Sequence, residues 1–576
     1  MSRLHLGRAG LVFVILVLAV HRLDAQPAVR WWNTIADLHG IWAADRNQLW
    51  AVGDGGVILH SANGGKDWEP EGSGTTDQLL SVYGIGKELW VTGYSGQVLY
   101  SADGGRRWDR QPTGTAYELD ALWGNGSEVW AAGFTAIAHT ASRGRKWEST
   151  EMDMGYKSIV GSGQELWAVG AAIIHSVDGG KHWEKRDTPG DTLYSIYRNG
   201  RELWSVGGSG VILHSPDGGK SWDKQNSGTD AGLFSIAGSG RELWVAGDNG
   251  LILHSSDGGK HWETLGSGTE HRLNSITARG RELWAVGDGG TMLHSLDGGA
   301  RWDAQMSGVD FATRHSMFGE GSDLWIGGDG ALVHSTDGGK HWETENLGQS
   351  AMLNCIRGHG GKLWAAGSNG SIVHSVDGGK TWEFQFSTTA VDLNSIYEAG
   401  EELWAVGAGG MIVHSGDGGK TWDQRASRGD DLSSIFGEGR ELWAVGGGGR
   451  IVHTTDGGKT WEKQQSGTSQ TLESIFGMGR ELWAIGDKGT ILHTADGGRH
   501  WEPQVSGTDQ GLVSIAGTGA ELWIGGWDGV ILHSVNRGKS WEHQNSGTED
   551  ILYSIFTNGP DVWILGSNKT LLRSVR

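Results

Sequence analysis

A single pattern recurs about every forty residues along nearly the whole chain, and it restricts the possible folds more than any other feature. The segment "HSVDGGKTWEFQ" at 374–385 returns with small changes as "HSTDGGKHWETE" at 334–345 and "HSGDGGKTWDQR" at 414–425. Its closing tryptophan occurs thirteen times, at steps of 36 to 40 residues. A period of this length indicates an array of similar structural units. No linker interrupts the period between residues 38 and 574.

Each repeat predicts four short strands. In residues 472–504, the segments "LESIFG", "ELWAIG", "TILHT" and "WEPQ" are separated by Gly-rich turns. The "ELWAIG" segment is almost continuously apolar, which indicates a strand covered on both sides. Four short strands in about forty residues are typical of one β-propeller blade. Because the "ELW"-type segment occurs fourteen times, we predict an all-β propeller protein with fourteen four-stranded blades.

The turn before the fourth strand has the pattern Ser/Thr-x-Asp-x-Gly-x-x-Trp. A short carboxylate or amide at its third position accepts hydrogen bonds from the turn's own N–H groups, and glycine takes the positive φ that ends the turn. Each turn has one carboxylate where calcium needs about six to eight oxygens, so we predict no metal here. Asn63, Ser142 and Asn536 replace the aspartate in three copies. A structural role is predicted for ten aspartates: Asp103, Asp178, Asp217, Asp257, Asp297, Asp337, Asp377, Asp417, Asp456 and Asp496.

These turns match the Asp-box, or BNR, repeat. The blade "ELWAVGxGGxILHSxDGGKxWExQxSGT" most resembles the photosystem II stability/assembly factor-like proteins. That resemblance implies an exported, non-enzymatic scaffold that holds membrane-protein partners during assembly. It does not imply a photosynthetic partner for this chain, which differs from those single seven-bladed propellers by having twice seven blades.

The two ends of the array indicate how fourteen blades are arranged. "VRWWNTIADLHGIW" at the start resembles an unpaired fourth strand, and "LLRSVR" ends the chain after three strands of the last blade. Propellers avoid unpaired edges and usually have about four to eight blades. We therefore predict two seven-bladed rings at 29–298 and 299–576. The N-terminal strand is expected to complete the blade around Trp284, and the strand at Trp302 to start the second ring. One ring of fourteen blades, in which the N-terminal strand pairs with the last blade, is the alternative.

The first 25 residues predict export. A basic start is followed by the apolar run "AGLVFVILVLAV" and a plausible cleavage stretch ending at Ala25, which is typical of a signal peptide, with an uncleaved anchor as the alternative. We therefore expect a periplasmic or extracellular protein with no integral membrane segment after cleavage. The formal net charge of −21 argues against nucleic acid as a partner. The single cysteine, Cys355, replaces a serine of sister repeats and is predicted to be a small buried residue.

Two enzyme families share this architecture. Sialidases add an arginine cluster, a tyrosine nucleophile and an Arg-Ile-Pro stretch, and the sequence has no "RIP". Xyloglucan hydrolases pair two seven-bladed Asp-box propellers and place two aspartates across the cleft between them. That resemblance covers the blade count, but the loops here are nearly minimal, whereas a carbohydrate groove needs longer ones. We expect no catalytic residue and no cofactor, and keep glycoside hydrolysis as an alternative.

Histidine precedes the box Ser/Thr in twelve of the fourteen blades. Copies on different blades stand too far apart to share one ion, since metal ligands converge within about 2.0–2.2 Å of it. We therefore predict that each histidine is hydrogen-bonded inside its own blade, as one element of the repeat.

Binding is the predicted function, with a protein partner of unknown identity as the first choice and a glycan as the alternative. The turn between strands 2 and 3 and the crossing to the next blade are predicted to share one acidic face. Departures from the repeat are the best candidates for a site, because the consensus alone serves the architecture. The first residue of the 2–3 turn is a large aromatic in only three blades, at Tyr94, Phe134 and Trp527. Exposed aromatics anchor interfaces, so we predict that these residues, and Asp528 beside Trp527, contact the partner.

Overall fold

The computed structural model describes residues 30–575 except 34, 127, 143, 145, 187–191, 307–313, 329–331, 346, 348–351, 426–428 and 569. The signal peptide predicted at residues 1–25 lies outside the described residues. The described part of the chain forms 56 strands in fourteen four-stranded antiparallel sheets, which confirms the predicted fold class and blade count. In this part of the chain, no helix has the length and apolar character needed to cross a membrane.

The first seven blades are here called the first set. Their strands are, in blade 1, β2 (Leu38–Ala43), β3 (Leu49–Gly53), β4 (Ile58–Ser61), β5 (Glu69–Glu71); in blade 2, β6 (Leu79–Ile85), β7 (Glu88–Gly93), β8 (Val98–Ser101), β9 (Asp109–Gln111); in blade 3, β10 (Leu119–Gly124), β11 (Val129–Gly133), β12 (Ala136–Thr140), β13 (Glu148–Glu151); in blade 4, β14 (Tyr156–Ser162), β15 (Glu165–Gly170), β16 (Ile173–Ser176), β17 (Glu184–Arg186); in blade 5, β18 (Leu193–Asn199), β19 (Glu202–Gly207), β20 (Ile212–Ser215), β21 (Asp223–Gln225); in blade 6, β22 (Leu233–Ser239), β23 (Glu242–Gly247), β24 (Ile252–Ser255), β25 (Glu263–Leu265); and in blade 7, β26 (Leu273–Arg279), β27 (Glu282–Gly287), β28 (Met292–Ser295), β29 (Asp303–Met306).

The other seven blades are the second set. Their strands are, in blade 8, β30 (Arg314–Glu320), β31 (Asp323–Gly328), β32 (Leu332–Ser335), β33 (Glu343–Glu345); in blade 9, β34 (Leu353–His359), β35 (Lys362–Gly367), β36 (Ser371–Ser375), β37 (Glu383–Phe386); in blade 10, β38 (Leu393–Ala399), β39 (Glu402–Gly407), β40 (Met411–Ser415), β41 (Asp423–Gln424); in blade 11, β42 (Leu432–Glu438), β43 (Glu441–Gly446), β44 (Arg450–Thr454), β45 (Glu462–Gln464); in blade 12, β46 (Leu472–Met478), β47 (Glu481–Gly486), β48 (Thr490–Thr494), β49 (Glu502–Gln504); in blade 13, β50 (Leu512–Thr518), β51 (Glu521–Gly526), β52 (Ile531–Ser534), β53 (Glu542–Gln544); and in blade 14, β54 (Leu552–Asn558), β55 (Asp561–Gly566), β56 (Leu571–Val575) and the N-terminal β1 (Arg30–Asn33).

The second strand of every blade forms the core between blades. In β27, for example, every residue after Glu282 is buried, because neighbouring sheets cover both of its faces. The tryptophan of a second strand packs against the Asp-box turn of a neighbouring blade. Trp167 of blade 4 packs edge-on against Trp222 of blade 5, with ring centroids 6.3 Å apart, and fills the space beside Gly219. A side chain larger than that of glycine has no room there.

The same contact joins the last blade of each set to the first blade of that set. Trp284 of blade 7 lies against Gly65 and Trp68 of blade 1, and Trp563 of blade 14 lies against Gly339 of blade 8. A single ring of fourteen blades requires Trp563 against blade 1 instead. The contacts are therefore those expected of two rings of seven. The two-ring arrangement itself stays a prediction, and negative-stain class averages that show two discs rather than one wide annulus are the expected result.

One part of the predicted domain division is wrong. Strand β1 pairs with β56 of blade 14, in the register Trp31↔Ser574, and not with the blade around Trp284. Blade 7 is completed by its own β29, which pairs with β28 in the register His294↔Asp303. The physical reason is that β28 and β29 are joined by a short Asp-box turn that closes the hairpin locally. The open edge is left on blade 14, where β1 covers it. Residues 30–33 therefore complete the last blade of the second set, and residues 303–306 complete the last blade of the first set.

The first strand of each of the fourteen blades begins with a register shift that changes where its side chains lie. In blade 3 the shift falls between Leu119 and Ala121, and in blade 7 between Leu273 and Ser275. A bulge of this kind turns the extra residue away from the regular ladder. The bulge residues of adjacent blades meet one another in the first set, as Tyr194 and Phe234 do with ring centroids 5.3 Å apart.

Candidate functional site

The Asp-box turns hold themselves together through hydrogen bonds within each turn. In all ten aspartate-containing boxes the Ser or Thr hydroxyl donates to Oδ1 of the aspartate at 2.8–3.0 Å. In the copy at Asp377, Thr381 also donates its backbone N–H to Oδ1 at 2.9 Å and its hydroxyl to Oδ2 at 2.7 Å. These donors, the Thr381 hydroxyl first, lower the pKa of Asp377 to about 2. The carboxylates are thus engaged by their own turns, which agrees with a structural role.

The twelve repeat histidines are packed rather than grouped. Each stacks on, or lies tilted over, the tryptophan opposite it on the second strand, with ring centroids 3.6–5.3 Å apart. Several also pair with a glutamate of that strand, as His254 Nε2 does with Glu242 Oε2 at 2.5 Å. We did not predict the stacking, although the strict pairing of "ELW" and "LHS" segments across adjacent strands contains the signal for it. Within the described residues, no group of three or more His, Cys, Asp or Glu side chains is arranged to hold a metal ion.

Cys355 lies buried in β34, where its thiol faces the carbonyl oxygen of Ala366 at 3.8 Å. Burial raises the pKa of this thiol to about 11. A thiol that stays protonated at neutral pH is a poor nucleophile, so Cys355 behaves as the small core residue that we predicted.

Each blade presents two different faces, as the sequence predicts. Backbone bonds attach the Asp-box turn to the turn between strands 1 and 2, for example Gly298 N–H to the Arg281 carbonyl at 2.9 Å. Other backbone bonds attach the 2–3 turn to the crossing segment, for example Tyr94 N–H to the Gln78 carbonyl at 3.1 Å. We call the second surface the 2–3 face. Acidic residues at the first or second position of its described turns are Asp54, Asp248, Asp288, Asp487 and Asp528. Asp329 lies outside the described residues.

Tyr94 and Phe134, predicted separately from neighbouring blades, lie together on the 2–3 face of the first set. They line one pocket of about 380 Å³ with Tyr117, Glu118, Ser95 and Ala116. The side chains of Tyr94, Tyr117 and Phe134 are 44%, 53% and 53% exposed, and the rings of Tyr117 and Phe134 are 6.4 Å apart. We call these three rings with Glu118 the aromatic pocket.

Tyr117 was missed from the sequence. It lies in the crossing segment, two residues before the first strand of blade 3, where other repeats carry residues such as His271, Gln470 and Gln510. Comparing crossings as well as turns with the repeat consensus finds it. The 2–3 turns alone do not reveal it, because Tyr117 lies in a crossing segment.

A charged triad lies at the edge of the pocket. Lys157 Nζ, on the bulge of blade 4, donates to Glu118 Oε1 at 2.9 Å and to Asp120 Oδ1 at 2.8 Å. Burial raises the pKa of Asp120 to about 6 despite the bond from Lys157. Burial alone lowers the pKa of Lys157, but its bonds to Asp120 and Glu118 raise it above its ordinary value. Burial, followed by the charge of Glu118, raises the pKa of Tyr94. At neutral pH the triad carries two negative charges and one positive charge beside the aromatic rings.

Trp527 occupies the same turn position in blade 13 but has a different setting. It is 50% exposed, and its ring lies over Gly511 of the crossing segment. A Cβ atom at position 511 would lie 3.0 Å from Trp527 Cδ1, so the glycine makes room for the ring. Asp528 follows it in the left-handed region at φ 53°. Among the described residues we find no second aromatic side chain packed on Trp527. The structure therefore joins Tyr94 with Phe134, and it leaves Trp527 and Asp528 apart in the second set.

A larger cavity of about 1260 Å³ lies between the two sets. Asp54 and Asp77 of the first set and Glu549 and Asp550 of the second set are among its lining residues. Asp54 Oδ1 pairs with His39 Nε2 at 2.7 Å, and Asp550 Oδ1 accepts a bond from Asn568 at 2.7 Å. Acidic residues of both sets therefore line this cavity, and two of them are already engaged by neighbouring side chains.

Fourteen four-stranded antiparallel blades with Asp-box turns and tryptophans wedged between blades define an Asp-box β-propeller protein. The model of the family described as photosynthesis system II assembly factor YCF48 matches residues 29–151, 162–229, 241–307, 357–432 and 468–549. These matches span more than half of the sequence, and the chain belongs to this family. The resemblance inferred from the blade consensus is thereby confirmed.

Solved structures show the same fold at low sequence identity. The GH74 xyloglucanase from Xanthomonas campestris is 14% identical with a TM-score of 0.63, and the match covers 95% of this chain and 100% of that chain. The GH74 enzyme from Niastella koreensis is 14% identical with a TM-score of 0.63, over 94% and 99% of the two chains. PorZ, a bacterial surface component of the type-IX secretion system of Porphyromonas gingivalis, is 11% identical with a TM-score of 0.59, over 94% and 86%. A comparison with curated proteins gave no match.

Proposed function

We propose that this protein is an exported, non-catalytic scaffold that binds a protein partner through the 2–3 face of its first set of blades. The observation that carries the proposal is the aromatic pocket, where Tyr94, Tyr117 and Phe134 come together about half exposed. Large aromatics that are clustered and accessible are the usual energetic anchors of protein interfaces. Membership of an assembly-factor family supports a scaffold. The apolar run at the N-terminus, and the likeness to PorZ as a surface component, support export.

The proposal is tested by quantitative capture from the cell envelope of the source organism, with the tagged protein as bait. The variants are the double substitution Tyr94→Ala/Phe134→Ala and the matched control Trp527→Ala, which removes an aromatic of similar exposure from the same turn position. Removing an interface anchor typically costs about 2 kcal/mol or more, roughly a thirtyfold loss of affinity. We expect one set of envelope proteins to be retained by wild type and by the control, and lost by the double variant.

Two results contradict parts of this proposal separately. If wild type enriches no protein over an untagged strain, the scaffold function is wrong. If a partner is enriched equally by wild type and by the double variant, the scaffold survives but its assignment to the aromatic pocket is wrong. Thermal unfolding of each bait is the control for folding.

A second candidate function, glycan binding or glycoside hydrolysis, is favoured by one specific observation. The cavity between the two sets is lined by acidic residues from both, and two solved structures of the same fold are named as GH74 enzymes. The check is incubation with xyloglucan and measurement of new reducing ends. Release that falls with both Asp77→Asn and Glu549→Gln supports hydrolysis. Binding of xyloglucan without release, lost in the same variants, supports a glycan-binding protein.

A further inference from the structure

We infer that the aromatic pocket binds a cationic side chain, a lysine or arginine that the partner protein presents. This inference rests on the proposed function and names the chemistry that the same site recognises. It concerns Tyr94, Tyr117, Phe134 and Glu118 of the first set.

The first argument is the composition of the pocket. Three aromatic residues and Glu118 are among the residues that line a cavity of about 380 Å³, and the rings of Tyr117 and Phe134 are inclined at 44° to each other. The face of an aromatic ring is electronegative, so rings that surround a cavity attract a cation that enters it. A lysine or arginine also has an apolar stem that packs on the rings while its head group reaches the carboxylate.

The second argument is the charge beside the pocket. Lys157 is the basic residue that pairs with the pocket, and both Glu118 and Asp120 accept hydrogen bonds from it. The two carboxylates outnumber this one ammonium group, so the triad keeps a net negative charge at neutral pH. Asp77 and Asp153 are further acidic residues on crossing segments of blades 2 to 4. This charge is complementary to a basic partner segment and unfavourable for an acidic one.

The third argument is an internal example on the same face. The guanidinium carbon of Arg272 lies 4.7 Å from the centre of the Phe234 ring, and Arg272 Nε pairs with Asp248 Oδ1 at 3.0 Å. Here the chain itself places a cation over an aromatic ring and beside an acidic residue of a 2–3 turn. The aromatic pocket offers the same two kinds of group three blades away.

The test uses saturation-transfer NMR on the purified protein with four small probes. They are the peptide acetyl-Gly-Lys-Gly-amide, the same peptide with arginine, the same peptide with norleucine, and a β-linked glucose tetrasaccharide. Norleucine keeps the four-carbon stem of lysine and removes only the charge. We expect saturable millimolar binding of the lysine and arginine peptides, with much weaker binding of the norleucine peptide. Raising the salt from 20 to about 300 mM should weaken binding of the charged peptides, because exposed charges are screened.

The variant Phe134→Leu removes the ring and keeps an apolar side chain, and Glu118→Gln removes the charge and keeps the side-chain size. Each is expected to weaken binding of the lysine peptide by roughly five- to thirtyfold. Trp527→Leu is the matched control, and it is expected to leave binding unchanged.

Equal binding of the lysine and norleucine peptides overturns the inference, and so does binding that Phe134→Leu leaves intact. Saturable binding of the tetrasaccharide alone also overturns it and favours a glycan. These outcomes are distinguishable from failure of the proposed function. A protein partner that is captured through Phe134, while neither cationic peptide binds, leaves the scaffold intact and rejects only the cationic chemistry.

Discussion

The same turn position carries an exposed aromatic residue in both sets of blades, but among the described residues only the first set groups further aromatic residues around it. Phe134 of blade 3 and Trp527 of blade 13 both follow the last residue of a second strand, and each is about half exposed. Phe134 is joined by Tyr94 from the preceding blade and by Tyr117 from its own crossing. Trp527 lies over Gly511, and the corresponding positions around it are Asp487 and Gln510. A departure from the repeat therefore marks a site when neighbouring blades depart together.

The largest expected effect tests whether the two regions have the same framework. Trp90 wedges between blades 2 and 3, the blades that carry the aromatic pocket, and Trp483 wedges between blades 12 and 13, the last of which carries Trp527; both are fully buried. Replacing either by alanine should lower the local free energy of unfolding by about 3–5 kcal/mol, because each leaves a large cavity. Hydrogen exchange followed by mass spectrometry, blade by blade, measures the loss.

Similar losses in blades 2 and 3 for Trp90→Ala and in blades 12 and 13 for Trp483→Ala are the expected outcome. If either variant loses less than about 1 kcal/mol of local unfolding free energy, the two sets do not share one packing scheme. The difference between Phe134 and Trp527 can then no longer be assigned to surface residues alone.

A second, smaller effect concerns Asp120 beside the pocket. Burial raises its pKa from 3.8 to about 6 in the folded protein. The folded state therefore binds the proton more tightly than the unfolded state, so this group favours folding below pH 4, and that stabilisation is lost as the pH rises through 6. Asp120→Asn removes the titration. Between pH 4 and pH 7, the free energy of unfolding of the variant should therefore rise by about 2–3 kcal/mol relative to that of wild type.

Urea unfolding of both proteins at pH 4, 5, 6 and 7 measures this difference. The comparison with the second set uses Glu473→Gln, since Glu473 occupies the corresponding bulge of blade 12 and burial raises its pKa as well. A difference between Asp120→Asn and wild type that stays constant with pH contradicts the burial of Asp120.

The smallest expected effect is a gain of binding in the second set. Asp487→Tyr with Gln510→Tyr gives Trp527 the two aromatic neighbours that Phe134 has. The test is made in a background in which Phe134→Leu disables the aromatic pocket of the first set. We expect the two added tyrosines to restore weak binding of the lysine peptide, with a gain of about 0.5–1 kcal/mol in binding free energy. Saturation-transfer NMR measures it against Phe134→Leu alone. No gain indicates that Glu118, which has no counterpart at Gly511, is required as well.

The repeat made the architecture predictable because each blade uses the same local chemistry. The Asp-box hydroxyl, carboxylate and glycine act within one turn, and the tryptophan wedge acts between consecutive blades, so both follow from the period of the sequence. The pairing of β1 was not predictable from the ends alone. It depends on which blade keeps an open edge, and the local hairpin of β28 and β29 decides this in favour of blade 14.

The candidate site was predicted in part for a related reason. Tyr94 and Phe134 break the repeat at a position that the sequence shows to be exposed, so they were identifiable one by one. Their convergence with Tyr117 and the triad around Lys157 depends on side chains from three consecutive blades meeting on one face. Such contacts carry no periodic signal. The stacking of histidine on tryptophan is periodic, but residue type alone does not distinguish it from hydrogen bonding within the blade.

The most direct test of the assigned surface is site-specific photocrosslinking in the native cell envelope. The crosslinking residue p-benzoyl-phenylalanine replaces Tyr94 in one strain and Trp527 in another. The two positions share the turn geometry and similar exposure, and they differ in the presence of the aromatic pocket. We predict a discrete protein adduct from position 94, attached near a lysine or arginine of the partner, and no adduct from position 527. An adduct from position 527 with none from position 94 contradicts the assignment of the partner surface to the first set.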